Sequence, residues 1–414
     1  MIPRLWSSSS RVIIAASLGY LVDLFDTFLL PALRIPSLHD LGVPASASLA
    51  IGTNLFNLQL LGQTIGAVFV WGPLSDRYGR NRILFGSILI YGIANFGTAF
   101  VHGLTMFALI RFIAGVGLGG ELGAGIALIS ETMAPETRNI GTMIVGFFGM
   151  MGVVFAGLLA KSSLSWRTDY ILGGVLACLI LAFRFGAKES ALFEKTVSVD
   201  RPEYWRILKY LARPPKLLKF IICVLVGAPT FFVVGLLVSG APEFGGALGM
   251  SVKPTSADAL VWTYSSIAVG SIICGWVAQQ FRSQKIALLI FHGITLAGFG
   301  LILFWPAATP VGYYWRCALT GLGIGYWANM VMNASEQWGT NVRGTVTIAV
   351  PNFVRLMLFP ISAIFLMLRP RFGYIPAAAI VGIACSALAI ASVLILKDGF
   401  RRNLMFEEAI GPRA

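Results

Sequence analysis

Charge is scarce in this sequence. Only 12% of its 414 residues are Asp, Glu, Lys or Arg, against about 25% in an average soluble domain. A water-facing surface of ordinary composition is therefore excluded. Histidine is scarcer still: His39, His102 and His292 are the only three, and they are far apart in sequence. The five cysteines (Cys178, Cys223, Cys274, Cys317, Cys385) are odd in number and all lie inside apolar runs. Their spacing matches no metal-ligand pattern, and they read as small packing residues rather than a disulfide framework. No His, Cys or Ser-His constellation of the kind an enzyme needs is visible. Neither a metal nor a cofactor is expected. A cleavable leader is also missing from view. The first apolar stretch runs from after Arg11 to about Leu33, longer than a signal-peptide core and without a small-residue cleavage site.

Hydrophobicity is abundant instead, at 57% of residues. It falls in long runs, and about 20 apolar residues cross a bilayer's hydrocarbon core. Polar breaks divide these runs into twelve expected spans: 12–33, 49–71, 83–101, 105–131, 139–160, 169–186, 218–240, 259–281, 286–306, 311–334, 343–366 and 374–396. The basic residues orient them. If the N-terminus is inside, 22 of the 31 Lys and Arg residues lie on the inner face, six lie outside, and Arg111, Arg316 and Arg355 fall within spans. The positive-inside rule then puts both termini in the cytoplasm. Topology accounts for the net charge of +13, so the bilayer is the expected partner and nucleic acid is not.

The chain divides into an N-terminal six-helix bundle (1–186), a basic linker (187–217), a C-terminal six-helix bundle (218–396) and a tail (397–414). Tyr204, Leu208 and Leu211 recur at helical spacing in the linker, which suits either an amphipathic helix on the membrane surface or a disordered tether. The halves repeat. Arg111, Ser130, Glu131 and Arg138 recur 205 residues later as Arg316, Ser335, Glu336 and Arg343. Parallel duplication of this kind is characteristic of secondary transporters, whose solute site lies at the midplane between the repeats.

Ionisable groups inside a span are costly and usually functional. Asp23 and Asp26, three residues apart, share a face near the middle of the first span. Two close carboxylates in a low-dielectric site resist double ionisation, so one can hold a proton. Arg111 keeps its charge, and pairing with Asp26 would be released by protonation. A fixed ion pair is the alternative. The glycines Gly115, Gly117, Gly119, Gly120, Gly123 and Gly125 follow Arg111. No strand precedes them, so they indicate close helix packing rather than a nucleotide loop. Glu121 sits among them as a solute, relay or interhelical hydrogen-bonding residue.

Arg355 lies mid-span beside Asn352 and Pro351. It either meets a carboxylate or phosphate on the solute or pairs with an acid from the other half. Arg316 is expected to pair with Glu243. Tyr326, Trp327, Asn329 and Asn333 in the tenth span, and Asn54, Asn57, Gln59 and Gln63 in the second, are candidate cavity-lining groups; each is otherwise interhelical glue. The hairpin from Gly72 to Arg82 carries Asp76, Arg77, Gly79 and Arg80. Gly72 and Gly79 are expected to permit its tight turn. With Glu131, Arg138, Glu336 and Arg343 it can form a charge network that locks the cytoplasmic side.

Taken together these residues resemble the major facilitator superfamily, in its metabolite:proton symporter and sugar-porter-like branches. Gly72 to Arg82 is similar to the family's hairpin signature, with a worn copy from Gly275 to Lys285 in which Gln279 replaces the aspartate. Glu189-Ser190-Ala191 resembles an E-S-P signature with alanine in place of proline, and Asp23-Leu24-Phe25-Asp26-Thr27 resembles the D-G-F-D-T of organic-acid symporters. The resemblance implies an all-α integral membrane protein: twelve transmembrane helices in two pseudo-symmetric six-helix bundles that expose a central cavity alternately to each side. It implies proton coupling through Asp26 and Arg111, with Asp23. The function expected is proton-coupled import of a small organic anion, as a monomer, in the plasma membrane (the inner membrane of a bacterium). Sugar or polyol symport and proton-driven export of drugs or siderophores are the alternatives, ahead of a membrane enzyme or receptor.

Overall fold

The computed structural model describes residues 9–74, 80–120, 138–184, 204–305, 309–399 and 407–410. The described residues contain helices and no strands. In chain order the spans are α1 (Ser9–Asp40), α2 (Ala45–Ile65, continued by a π-helical turn, Gly66–Trp71), α3 (Arg80–Ala99), α4 (Leu104–Leu118), α5 (Arg138–Leu159) and α6 (Trp166–Arg184). The second half comprises α7 (Pro214–Leu225, then Ala228–Phe232 and Val233–Val238), α8 (Ser256–Gln280), α9 (Gln284–Phe304), α10 (Pro310–Ile324, then Trp327–Glu336), α11 (Thr340–Leu356, then Leu358–Phe372) and α12 (Tyr374–Ile395). Seven of these are long and apolar enough to cross a membrane as they stand, and α7, bent by 48°, makes an eighth. The rest are shorter or interrupted, and three of them, α3, α4 and α5, adjoin residues outside the described set.

Membrane helices stay helical because lipid offers their backbone no other hydrogen-bonding partner. That is why α1 runs on to Asp40 through Pro31 and Pro36, past the expected end near residue 33. The Ser37 hydroxyl donates back to the carbonyls of Leu33 and Arg34 at 2.7 and 3.2 Å, which supports the helix where proline has removed a donor. Large apolar side chains such as Ile93, Phe100, Leu179, Phe183, Met367 and Ile395 remain exposed, as expected of a lipid-facing surface.

The two halves pack by the same plan. In the first, α2 packs on α4 and α3 on α6; in the second, α8 packs on α10 and α9 on α12. Two seams join the halves, α5 against α8 and α2 against α11, and they exchange under the pseudo-two-fold that swaps the repeats. The close approach of α2 and α4 depends on glycine: a Cβ on Gly115 would run into the Gln59 carbonyl, and one on Gly119 into the backbone of Gln63 and Ala67.

The linker contains a helix, Tyr204–Leu211, that buries Tyr204, Ile207, Tyr210 and Leu211 and exposes Trp205 and Lys209. Tyr204 donates its hydroxyl to the Val68 carbonyl at 3.0 Å, at the π-helical turn of α2. This changes the reading of Gly72. Its backbone is helical rather than turned (φ −56°, ψ −60°), and a Cβ there would overlap the Tyr204 ring. Gly72 is small so that the linker helix can dock. Gly79, its companion in the expected turn, lies outside the described residues.

The tail binds the same face. The Asp398 carboxylate accepts from the Ser283 hydroxyl and from the Gln284 N–H at the start of α9. Glu408 accepts from the Tyr210 hydroxyl and from Lys216 at 2.7 Å, while its N–H donates to Asn341. Burial pushes the Glu408 carboxyl up, but the Lys216 and Tyr210 hydrogen bonds outweigh it and hold the group below its ordinary range. Burial and the neighbouring Glu408 raise the Tyr210 phenol.

Candidate functional site

Asp23 and Asp26 part company in the fold. Each meets a different arginine. Asp26 turns into the first half, where Arg111 Nη1 lies 3.6 Å from its Oδ1 and both side chains are fully buried. Arg111 is held there by the Asn95 side chain at 3.0 Å, by the Thr98 hydroxyl, and by the Tyr170 ring, whose centroid is 4.5 Å from the guanidinium. Asp23 turns to the seam between the halves. Gln63 donates to it at 3.0 Å, and Arg355 from α11 approaches to 3.4 Å. The pairing of Arg355 with an acid of the other half, one of its two expected roles, is therefore present. The contact is longer than a well-formed charge-assisted bond of about 2.7–2.9 Å.

Arg355 also faces a narrow cavity between the halves. Its walls are Tyr20, Leu24 and Phe28 of α1, Met150 of α5, Thr230 and Phe231 of α7, Tyr264 and Ile267 of α8, and Ile324 and Trp327 of α10. Phe28 and Tyr264 pack with ring centroids 4.8 Å apart. Among the described residues that line it, Arg355 is the only charged one. The cavity is thus an aromatic box with one cation, suited to a flat apolar body that carries an anionic group.

Of the described polar residues singled out as solute contacts, Arg355 lines this cavity and the others point elsewhere. Tyr326 sits one layer behind, its hydroxyl 2.9 Å from that of Thr230 and its ring stacked on His292. Its neighbour Trp327 is the one that faces the cavity. Asn329 donates to the Cys274 carbonyl and sulfur at 3.3 and 3.2 Å, and so ties α10 to α8. Asn352 donates to its own helix at Ile348, and its carbonyl accepts from Thr64 across the seam. Gln59 reaches the Thr27 carbonyl at 3.5 Å, and Asn54 is exposed. Asn57 donates to Ser362 at 2.8 Å, another tie between the halves. Glu121, Glu131, Asp76, Arg77 and Gly79, and the side chains of Arg80 and Arg138, lie outside the described residues. Of the expected cytoplasmic network, Arg343 donates to the Trp338 carbonyl at 3.3 and 3.1 Å and feels the charge of Glu336.

The expected Arg316–Glu243 pair does not form. Glu243 is taken by Arg34, which reaches it from the first half with two bonds of 2.7 and 2.8 Å. Arg34 also donates to Ser48 and to the Ser239 carbonyl, and it is 2% exposed. Sequence distance hid this contact, because α1 extends a full two turns beyond its apolar run and carries Arg34 inside. A second pair, Lys161 to Asp258 at 2.6 Å, also joins the halves on that face, opposite the start of α1. Both ion pairs tie the halves together there. Pattern reading also missed Asp169, the first residue of the expected span 169–186, which is 1% exposed in the first turn of α6.

Comparison with known proteins agrees with this architecture. A family-wide sequence profile described as Major Facilitator Superfamily matches residues 16–359. The 3-(3-hydroxy-phenyl)propionate transporter of Escherichia coli K12 is 28% identical over 345 residues, covering 77% of this chain and 83% of its own. The putative niacin/nicotinamide transporter of Bacillus subtilis 168 is 25% identical over 405 residues, covering 94% and 96%. Among solved structures, the xylose transporter of E. coli in a partially occluded inward-open conformation superposes with a TM-score of 0.74 at 16% identity, covering 96% of this chain and all of that one.

Proposed function

This chain belongs to the Major Facilitator Superfamily; it is a membrane transporter of small molecules and not an enzyme, and we propose that it imports a small aromatic monocarboxylate together with a proton. Arg355 carries this reading. It is a buried arginine that never loses its charge, set in an aromatic box, with a long 3.4 Å contact to Asp23 as its ion pair. A solute carboxylate competes with Asp23 for the same guanidinium. When the solute binds, Asp23 loses its counter-charge in a dry site and takes up a proton instead. Solute and proton then favour each other's binding, and by linkage the effect is reciprocal. Asp26 and Arg111 supply a second acid–base pair whose opening on protonation favours a different packing of the first half.

The two relatives named above bear on the solute, since one is named for a phenylpropionate and the other for niacin or nicotinamide; phenylpropionate and niacin each join an aromatic ring to a carboxylate. The protein acts as a monomer in the plasma membrane, the inner membrane of a bacterium. Its termini lie in the cytoplasm, so the face closed by Arg34–Glu243 is the outer one. The test is uptake of labelled benzoate-class acids, sugars and amino acids into proteoliposomes with and without a protonophore. Accumulation of an aromatic acid that collapses with the proton gradient is expected. Gradient-independent exchange, or transport of sugars alone, overturns the proposal.

A further inference from the structure

The proton has to reach Asp26, and the solute cavity does not lead there. Leu24 and Phe28 face the cavity from α1. Asp26, two residues from each, lies about 200° around the helix from both, at 100° per residue. It is fully buried inside the first half, against Arg111.

Buried polar atoms are nearly always hydrogen-bonded to protein or water. Inside this half a run of them makes no hydrogen bond: both oxygens of Asp26, Nε and Nη1 of Arg111, Nδ2 of Asn95, the hydroxyl of Tyr170 and Oδ1 of Asp169, with Asp26 Oδ1 and Arg111 Nη1 facing each other across 3.6 Å. They are not scattered. Arg111 contacts Asp26, Asn95 and Tyr170 directly, and the Tyr170 hydroxyl feels the charges of Arg111, Asp26 and Asp169. Asp169 is at the end of this run, one residue before Tyr170 on α6. Beyond it lies the rim, where Arg167 bridges to Asp40 at 2.8 Å and to the Val101 carbonyl at 3.1 Å. Asp40 is half exposed. The charged and titratable groups around Asp169 are therefore Arg167 and Tyr170 on its own helix, Asp40 and Asp26 on α1, and Arg111 on α4. A buried carboxylate with an unpaired oxygen is costly unless water or a proton meets it.

We infer that Asp169 is the entry point for the coupling proton, which passes from the outer face through a hydrated polar track beside Tyr170 and Arg111 to Asp26, separate from the path of the solute. The inference rests on the proton-coupled reading of the function. The transfer balances simply. Asp169 takes a proton from outside water, and the Tyr170 hydroxyl relays it by giving its own proton towards Asp26 and taking the next from Asp169. Asp169 is left ionised for another cycle. Neutral Asp26 then releases Arg111, while the solute enters on the other side of α1.

The deciding experiment uses proteoliposomes holding the full-length protein and the aromatic acid that it accumulates. Asp169→Asn keeps shape and removes the carboxylate. It is expected to slow gradient-driven uptake at least tenfold and to flatten its dependence on outside pH, while solute counterflow at equal pH keeps its KM. Asp169→Glu is expected to restore both rate and profile. Should Asp169→Asn not assemble, Tyr170→Phe decides: the ring stays over Arg111, and loss of the hydroxyl should slow uptake but not counterflow. A wild-type pH profile in the tested variant overturns the inference. Wild-type protein that ignores the proton gradient overturns the functional proposal instead, and this inference with it.

Discussion

Arg355 Nη2 lies 3.4 Å from Asp23 Oδ2, although 332 residues separate them and each comes from a different half of the transporter. The pair spans the seam that must open and close, and one of its members lines the solute cavity. Such a contact can report occupancy directly to the packing of the halves.

Replacing Arg355 with alanine removes the cavity's cation. A hydrogen bond to a charged group contributes about 1.5–3 kcal/mol, so binding of an anionic aromatic solute should weaken about 10- to 100-fold. Calorimetric titration of the purified variant checks this. Unchanged affinity would place the solute's carboxylate elsewhere.

Asp26→Asn should abolish accumulation against a gradient and leave exchange intact, because amide and carboxylate fill the same space beside Arg111 but only the carboxylate takes a proton. Paired uptake and counterflow measurements separate the two. If Asp26→Asn still concentrates solute, Asp26 is not in the coupling path.

The outer closure depends on a buried pair. Glu243→Gln leaves Arg34 buried beside a neutral group, and removing one member of such a pair costs about 3–5 kcal/mol. Opening restores water to Arg34, so the variant should shift towards the outward-open state. Spin labels at Ser162→Cys and Val252→Cys, on exposed loops of the two halves, should show a longer distance population. Identical distributions in wild type and variant would rule out a gating role.

Glu408 gives a pH signature. Its carboxyl is held below the ordinary value of 4.5, so its stabilisation is complete above that value and disappears as pH falls through the lower, folded one. Wild type should therefore melt above Glu408→Gln by a constant margin from about pH 6 upward, with the margin closing in stronger acid. A margin that does not vary with pH would show that Lys216 and Tyr210 do not hold the charged form.

Gly72→Ala should dislodge the linker helix. Overpacking at such a contact costs about 1–3 kcal/mol, and Tyr204 has to leave the Val68 carbonyl. Trypsin should then cut faster at Arg206 and Lys209. Unaltered cleavage would return Gly72 to a role in the hairpin alone.

Composition and periodicity were enough to show a membrane protein of twelve spans with duplicated halves. A bilayer has one thickness and no hydrogen bonds to offer, so apolar length translates directly into crossings. The buried charges were legible for the same reason, since an ionisable residue inside an apolar run stands out whatever the fold. Their pairing was legible only in part: Asp26 with Arg111 was expected, and an acid of the other half was one of two roles expected for Arg355. Asp23 and Asp26 share one helix face, Glu243 was expected to belong to Arg316, and Asp169 stands at the edge of an apolar run. Only the packing of the halves sends Asp23 to Arg355 and Glu243 to Arg34, because helix rotation and tilt are set by contacts between helices far apart in sequence. The aromatic cavity walls were hidden likewise. Tyr20, Phe28 and Tyr264 are ordinary apolar-run residues until α1 and α8 are brought together, and Trp327 differs from Tyr326 only in which way α10 turns after its break.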